Sequence, residues 1–105
     1  GVVAIQTQGS GVHPITGIIE KPTSKDAPSN LGVVGRYILS SSIFGHIRNL
    51  KPGSGGEYQL TDAIQNLIEN GHRVVAMPLD CNEYELDVGT AESYKQSLDL
   101  SYRIA

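Results

Sequence analysis

Cysteine is nearly absent. Cys81 is the only one in 105 residues, so no intramolecular disulfide can form, and its spacing from His13, His46 and His72 does not make a Cys/His metal site. A disulfide-stapled scaffold and a structural zinc site are excluded, and a reducing, cytoplasmic compartment is expected. Positive charge is scarce too: 8 Lys and Arg against 11 Asp and Glu leave a formal charge of -3. With no basic surplus to steer the chain, a nucleic-acid partner is not expected. No apolar run approaches the ~20 residues that span a bilayer, and no basic stretch followed by an apolar core opens the chain. A membrane partner is therefore not expected either. Also missing are internal repeats, low-complexity tracts and any Pro/Gly/Ser-rich linker. A length of 105 residues, 39% hydrophobic and 18% charged, suits one domain with a modest core.

Strand and helix signals alternate along the chain, which argues for an α/β sheet domain. Gly1-Val2-Val3-Ala4-Ile5 reads as an apolar strand, and with no turn, cap or methionine before it the chain is expected to begin inside a larger fold. The polar run Gln6 to Pro14 reads as a connection. Ile15 to Glu20 reads as a second strand, and Pro22 to Asn30, rich in Pro and Ser, as a loop. Leu31 to Leu39 alternates as a strand should, with Gly35 in its middle. A mid-strand glycine marks the close approach of a ligand or backbone, or else a bulge or tight sheet packing.

Ser40-Ser41-Ser42 offers N-cap hydroxyls to a short helix carrying Ile43, Ile47 and Leu50. Lys51 to Gly56 is glycine-rich but lacks the Gly-Lys-Ser/Thr of a phosphate-cradling loop, so it reads as an ordinary loop. From about Glu57 to Asn70, Leu60, Ile64, Leu67 and Ile68 mark an amphipathic helix that Gly71 is placed to end. Arg73 to Leu79 and Glu83 to Val88 read as strands. Thr90 is a candidate N-cap for a last helix with Ala91, Tyr94, Leu98 and Tyr102 on a packing face.

The chemistry concentrates in Gly17-Ile18-Ile19-Glu20-Lys21-Pro22, where a strand delivers a carboxylate and an ammonium just before a proline. Neighbouring strand residues face opposite sides, so Glu20 and Lys21 can share a ligand only if the strand bends or stops there. A carboxylate accepts from sugar hydroxyls and a lysine suits a phosphate, so the pair fits a phosphorylated sugar. A solvated ion pair at a strand end accounts for it as well. Asp87, at the end of the strand before the last helix, is the strongest metal candidate, since magnesium takes hard oxygen ligands. A turn or capping role is its structural alternative.

These segments form a series. Glu20-Lys21-Pro22 is followed by Ala27-Pro28-Ser29-Asn30-Leu31, Val34-Gly35-Arg36-Tyr37-Ile38-Leu39, Gly55-Gly56-Glu57-Tyr58-Gln59-Leu60-Thr61-Asp62-Ala63-Ile64 and Leu86-Asp87-Val88-Gly89-Thr90. In this order and at these spacings they resemble the C-terminal half of sugar-phosphate nucleotidyltransferases, most closely the bacterial-type UTP-glucose-1-phosphate uridylyltransferases. The resemblance runs from about Gly1 to about Ser97, and its specificity lies in the series.

The resemblance implies a single sugar-phosphate-binding portion, residues 1–105, within a mixed, mainly parallel Rossmann-like sheet with flanking helices. It implies transfer of a uridylyl group from UTP to glucose 1-phosphate, giving UDP-glucose and pyrophosphate. Carried over by motif, Glu20 binds sugar hydroxyls, Lys21 the sugar phosphate, and Gly35 lets the hexose lie against its strand. Glu57 borders the sugar pocket and Asp87 holds Mg2+; Lys21 and Asp87 form the catalytic pair.

Glu57 and Asp62 also suit the positive end of a helix dipole, and Asp62 is assigned no catalytic role. Tyr37 and Asn30 match positions near the pocket, but a core aromatic and a loop-capping amide explain them equally well. The family's Gly-x-Gly-Thr-Arg nucleotide loop does not occur in these residues, so the nucleotide-binding half and a second metal-binding aspartate are expected outside them. An isolated chain is then expected to be inactive, with open strand edges that favour a homo-oligomer. A thymidylyltransferase acting on the same sugar phosphate, and a non-catalytic sugar-phosphate-binding or regulatory module, are the alternatives.

Overall fold

Two apolar segments of opposite direction build the sheet from which the fold starts. In the computed structural model, which describes residues 1–6 and 11–105, Val2–Ile5 (β1) pairs antiparallel with His13–Ile19 (β2). Four residues of the polar connection between them, 7–10, lie outside the described residues. The partners are Val2 with Ile19, Val3 with Ile18, Ala4 with Gly17, and Ile5 with Ile15. The register slips by one residue between Ala4 and Ile5. That slip is why Ile15 and Ile18 are both buried although they stand three positions apart, since an unbroken strand would send them to opposite faces.

Val75–Ala76 (β3) adds antiparallel to the start of β2, giving the order β1-β2-β3. The α/β class matches the sequence reading, but every strand pairing within the described residues is antiparallel, whereas the resemblance implies a mainly parallel sheet. The connection from β1 to β2 is too short for the crossover that parallel neighbours need.

Leu60–Glu69 (α2) covers this sheet, and Ile43–Arg48 (α1) packs on α2. Ala63, Ile64 and Leu67 fall on one face of α2 and join Val3, Ile15, Ile18 and Ile43 in the core. The helix begins later than its periodicity predicts, because Gln59 is extended, and it ends at Gly71 with φ +82. There the Gly71 N–H donates to the Ile68 carbonyl and His72 N–H to Leu67, both at 3.0 Å, satisfying the last turn. The serines before α1 behave differently from the expectation: Ser42 makes no side-chain cap bond, and its hydroxyl pairs with that of Ser40 at 2.6 Å.

Three predicted strands are shortened or missing. Of Leu31 to Leu39, only an antiparallel bridge between Gly32 and Val2 forms, flanked by bonds from Val3 N–H to Leu31 and from Val33 N–H to Gly1. Beyond it no neighbouring edge among the described residues receives the segment, and Gly35 turns it with φ +72. Arg73 to Leu79 contributes only β3, and Glu83 to Val88 forms no strand. Ala91–Ile104 (α3) is capped as expected: the Thr90 hydroxyl accepts from Ser93 N–H and the Ser93 hydroxyl accepts from Thr90 N–H. Its expected packing face is not buried; Tyr94, Leu98 and Tyr102 are exposed, and the partly covered residues are Ser93, Ser97 and Leu100. Among the described residues no helix is long and apolar enough to cross a membrane.

Candidate active site

Lys21 stops β2. Its φ of +44 places it in the left-handed region that non-glycine residues rarely visit, so the chain turns at the Glu-Lys pair and the strand alternation no longer separates the two side chains. This meets the condition under which Glu20 and Lys21 can serve one ligand.

Glu20 lines a hollow of about 400 Å³ between the end of β2 and the start of α2. Ile18 and Ile19 give it an apolar floor, and Ser54, Asp62 and Gln65 bring polar groups to it. The Glu20 Oε2 atom accepts from the Thr61 hydroxyl at 3.0 Å and lies 3.3 Å from the nitrogen of Gly1. Its Oε1 has no hydrogen-bond partner among the described residues. Partial burial works against ionisation of Glu20, the Thr61 hydrogen bond favours it, and the carboxyl lies below its usual value. Burial, helped by the Glu20 charge, pushes the Tyr37 phenol up.

The remaining candidates are dispersed. Lys21 is exposed and does not line the hollow. Gly35 is exposed, and a methyl added there would meet no atom within 4 Å, so its glycine answers to its positive φ and not to the strand packing that alternation implied. Glu57 is exposed and accepts from Gln59 Nε2 at 3.2 Å. Asp87 lies with Glu85 on a second, separate hollow of about 240 Å³ against α3.

Among the described residues no three His, Cys, Asp or Glu side chains gather to hold a metal. An exposed carboxylate with one acidic neighbour still fits a hard ion that completes its shell with water and phosphate oxygens, and Asp87 is the residue that would hold it.

Of the residues that frame Glu20, sequence reasoning held Thr61 and Asp62 only as part of a motif, with no site role assigned to either, and did not single out Gln65. Thr61, Asp62 and Gln65 come from α2, far along the chain. Gln65 Oε1 accepts from Ile18 N–H at 2.9 Å, and a methyl on Gly17 would press against that oxygen at 3.3 Å. A methyl on Gly53 would collide with the Asp62 carboxylate. The available signal was polar residues at i and i+4, Thr61 and Gln65, beside the apolar stripe of a helix.

The chain belongs to the nucleotidyl transferase family, whose model matches residues 1–101. Within that family it is 39% identical over 102 residues to the UTP–glucose-1-phosphate uridylyltransferase of Pseudomonas aeruginosa, covering 97% of this chain and 36% of the relative. It is 42% identical over 101 residues to UTP–glucose-1-phosphate uridylyltransferase 1 of Streptococcus pyogenes serotype M1, covering 94% and 32%. A crystal structure of UDP-glucose pyrophosphorylase complexed with UDP-glucose matches 99% of this chain and 38% of its own, with TM-score 0.86 and 35% identity. The chain spans about a third of the length of these relatives. The resemblance read from the motif series therefore holds, at the level of family and of fold.

Proposed function

We propose that this chain supplies the sugar-phosphate subsite of an enzyme that transfers a uridylyl group from UTP to glucose 1-phosphate. The observation that carries the reading is the match of nearly the whole chain to a UDP-glucose pyrophosphorylase solved in complex with UDP-glucose, with Glu20 at a hollow of about 400 Å³. Glu20 accepts from sugar hydroxyls and Lys21 neutralises the sugar phosphate. Gly35 leaves room for the hexose, Glu57 borders the pocket, and Asp87 holds Mg2+. The setting is cytoplasmic, in keeping with a lone exposed cysteine, and the chain self-associates.

The reaction asks little of a nucleophile-activating group. An oxygen of the glucose 1-phosphate dianion bonds to the α-phosphorus of UTP while the bond to the α–β bridging oxygen breaks, and pyrophosphate leaves with that electron pair. Magnesium held by Asp87 would supply charge neutralisation at the phosphates, and the protein's share is positioning.

Calorimetric titration with glucose 1-phosphate, beside a Lys21→Ala variant of matching circular dichroism, tests the reading. Binding that weakens about tenfold or more in the variant is expected, from loss of a hydrogen bond to a charged group. A folded chain that takes up no glucose 1-phosphate overturns it.

A further inference from the structure

We propose that Thr61 is a positioning residue for sugar recognition, holding one oxygen of the Glu20 carboxylate against α2 and leaving the other for the ligand. The inference deepens the sugar-phosphate reading above and rests on it. Thr61 is buried, at 4% exposure, although threonine is polar and sits on the first turn of its helix. Among the described residues its hydroxyl has one partner, Glu20 Oε2, at 3.0 Å and 41 residues away in the chain.

A helical threonine has a local alternative, donation back to the carbonyl four residues earlier. Here that carbonyl, on Glu57, receives the Gly53 N–H at 2.8 Å, and the Thr61 hydroxyl reaches across to β2 instead. The methyl group is buried with the residue and lies close to Gly1, where an added Cβ would stand 2.9 Å from Thr61 Cγ2. Packing on one branch and a hydrogen bond on the other restrict χ1 of a residue that is already stiff there.

The consequence falls on Glu20. A glutamate turns about three side-chain torsions, and ordering it when a ligand arrives costs affinity. The Thr61 bond orders it beforehand and helps keep it ionised. Oε1, which has no partner among the described residues, remains to accept from a sugar hydroxyl. Valine would fill the same space and supply none of this, so packing and positioning are separable.

The test compares Thr61→Val, Thr61→Ser, Glu20→Gln and the Thr61→Val/Glu20→Gln pair, each checked by circular dichroism. Glucose 1-phosphate is titrated from about pH 4 to about pH 8, a range that spans carboxylate ionisation. Thr61→Val is expected to weaken binding about tenfold and Thr61→Ser to restore it to within about threefold. The acid limb of binding is expected to move to higher pH in Thr61→Val, because the carboxyl loses a donor that favours its charge, and to return in Thr61→Ser.

In the Glu20→Gln background Thr61→Val should add little. If Thr61→Val binds like the unsubstituted chain while Glu20→Gln is weakened, the inference fails and the sugar-phosphate reading stands. An equal Thr61→Val loss in both backgrounds assigns Thr61 a packing role and also overturns it. No binding by the unsubstituted chain overturns the underlying reading, and this inference with it.

Discussion

Gly35 isolates conformation from contact at a single residue. Its φ of +72 costs any L side chain about 1–2 kcal/mol, and an added methyl meets no atom within 4 Å. Gly35→Ala should therefore lower folding stability by about 1 kcal/mol, read from the denaturation midpoint. If the hexose lies there, the same methyl should also weaken glucose 1-phosphate binding in the folded chain. Unchanged affinity would remove Gly35 from the subsite.

The residues of the site were legible to different degrees for a physical reason. Glu20 and Lys21 could be found because a proline and a strand end are local events. The contact of Thr61 with Glu20 could not, because it spans 41 residues and depends on how α2 lies over β2.

Elements divide along the same line. The periodicity of α2 and the cap of α3 are written into short windows, so both helices were legible. The strands over 31–39 and 83–88 were not, because alternation says only that a segment could line a sheet, and pairing requires an edge to receive it. Only the 31–33 stretch finds one, on β1. The bulge that puts Ile15 and Ile18 on one side left no mark in the sequence at all.

For α3 the balance can be measured. Its capping box is complete while none of its residues is buried, so most of its order is local. Thr90→Ala should cost this helix about 1 kcal/mol. Hydrogen exchange should show faster opening of α3 amides while those of α2, at the core, keep their protection. Equal acceleration in both helices would mean that α3 is part of the core's cooperative unit.

At the scale of the whole molecule the mass is unevenly held. The Cα radius of gyration is 15.5 Å, against about 13 Å for a compact domain of ~100 residues. The buried hydrophobic residues all lie between Val3 and Leu67. From Met77 onward no residue is buried, yet this stretch carries Met77, Leu79, Tyr84, Leu86, Val88, Tyr94, Leu98 and Tyr102 on the surface. Along β1, residues 31–33 pair with Gly1 to Val3 on the side away from β2.

The exposed apolar side chains of the 77–102 stretch offer a surface for self-association, because extended apolar patches rarely stay bare on a monomer. Sedimentation velocity should then show an average mass that climbs above 11.2 kDa with concentration. Replacing Tyr94 and Leu98 with lysine should return it toward the monomer without lowering the unfolding midpoint, since neither residue is in the core. A chain that stays monomeric at about 100 μM, far above a micromolar dissociation constant, would show that this apolar surface does not self-associate.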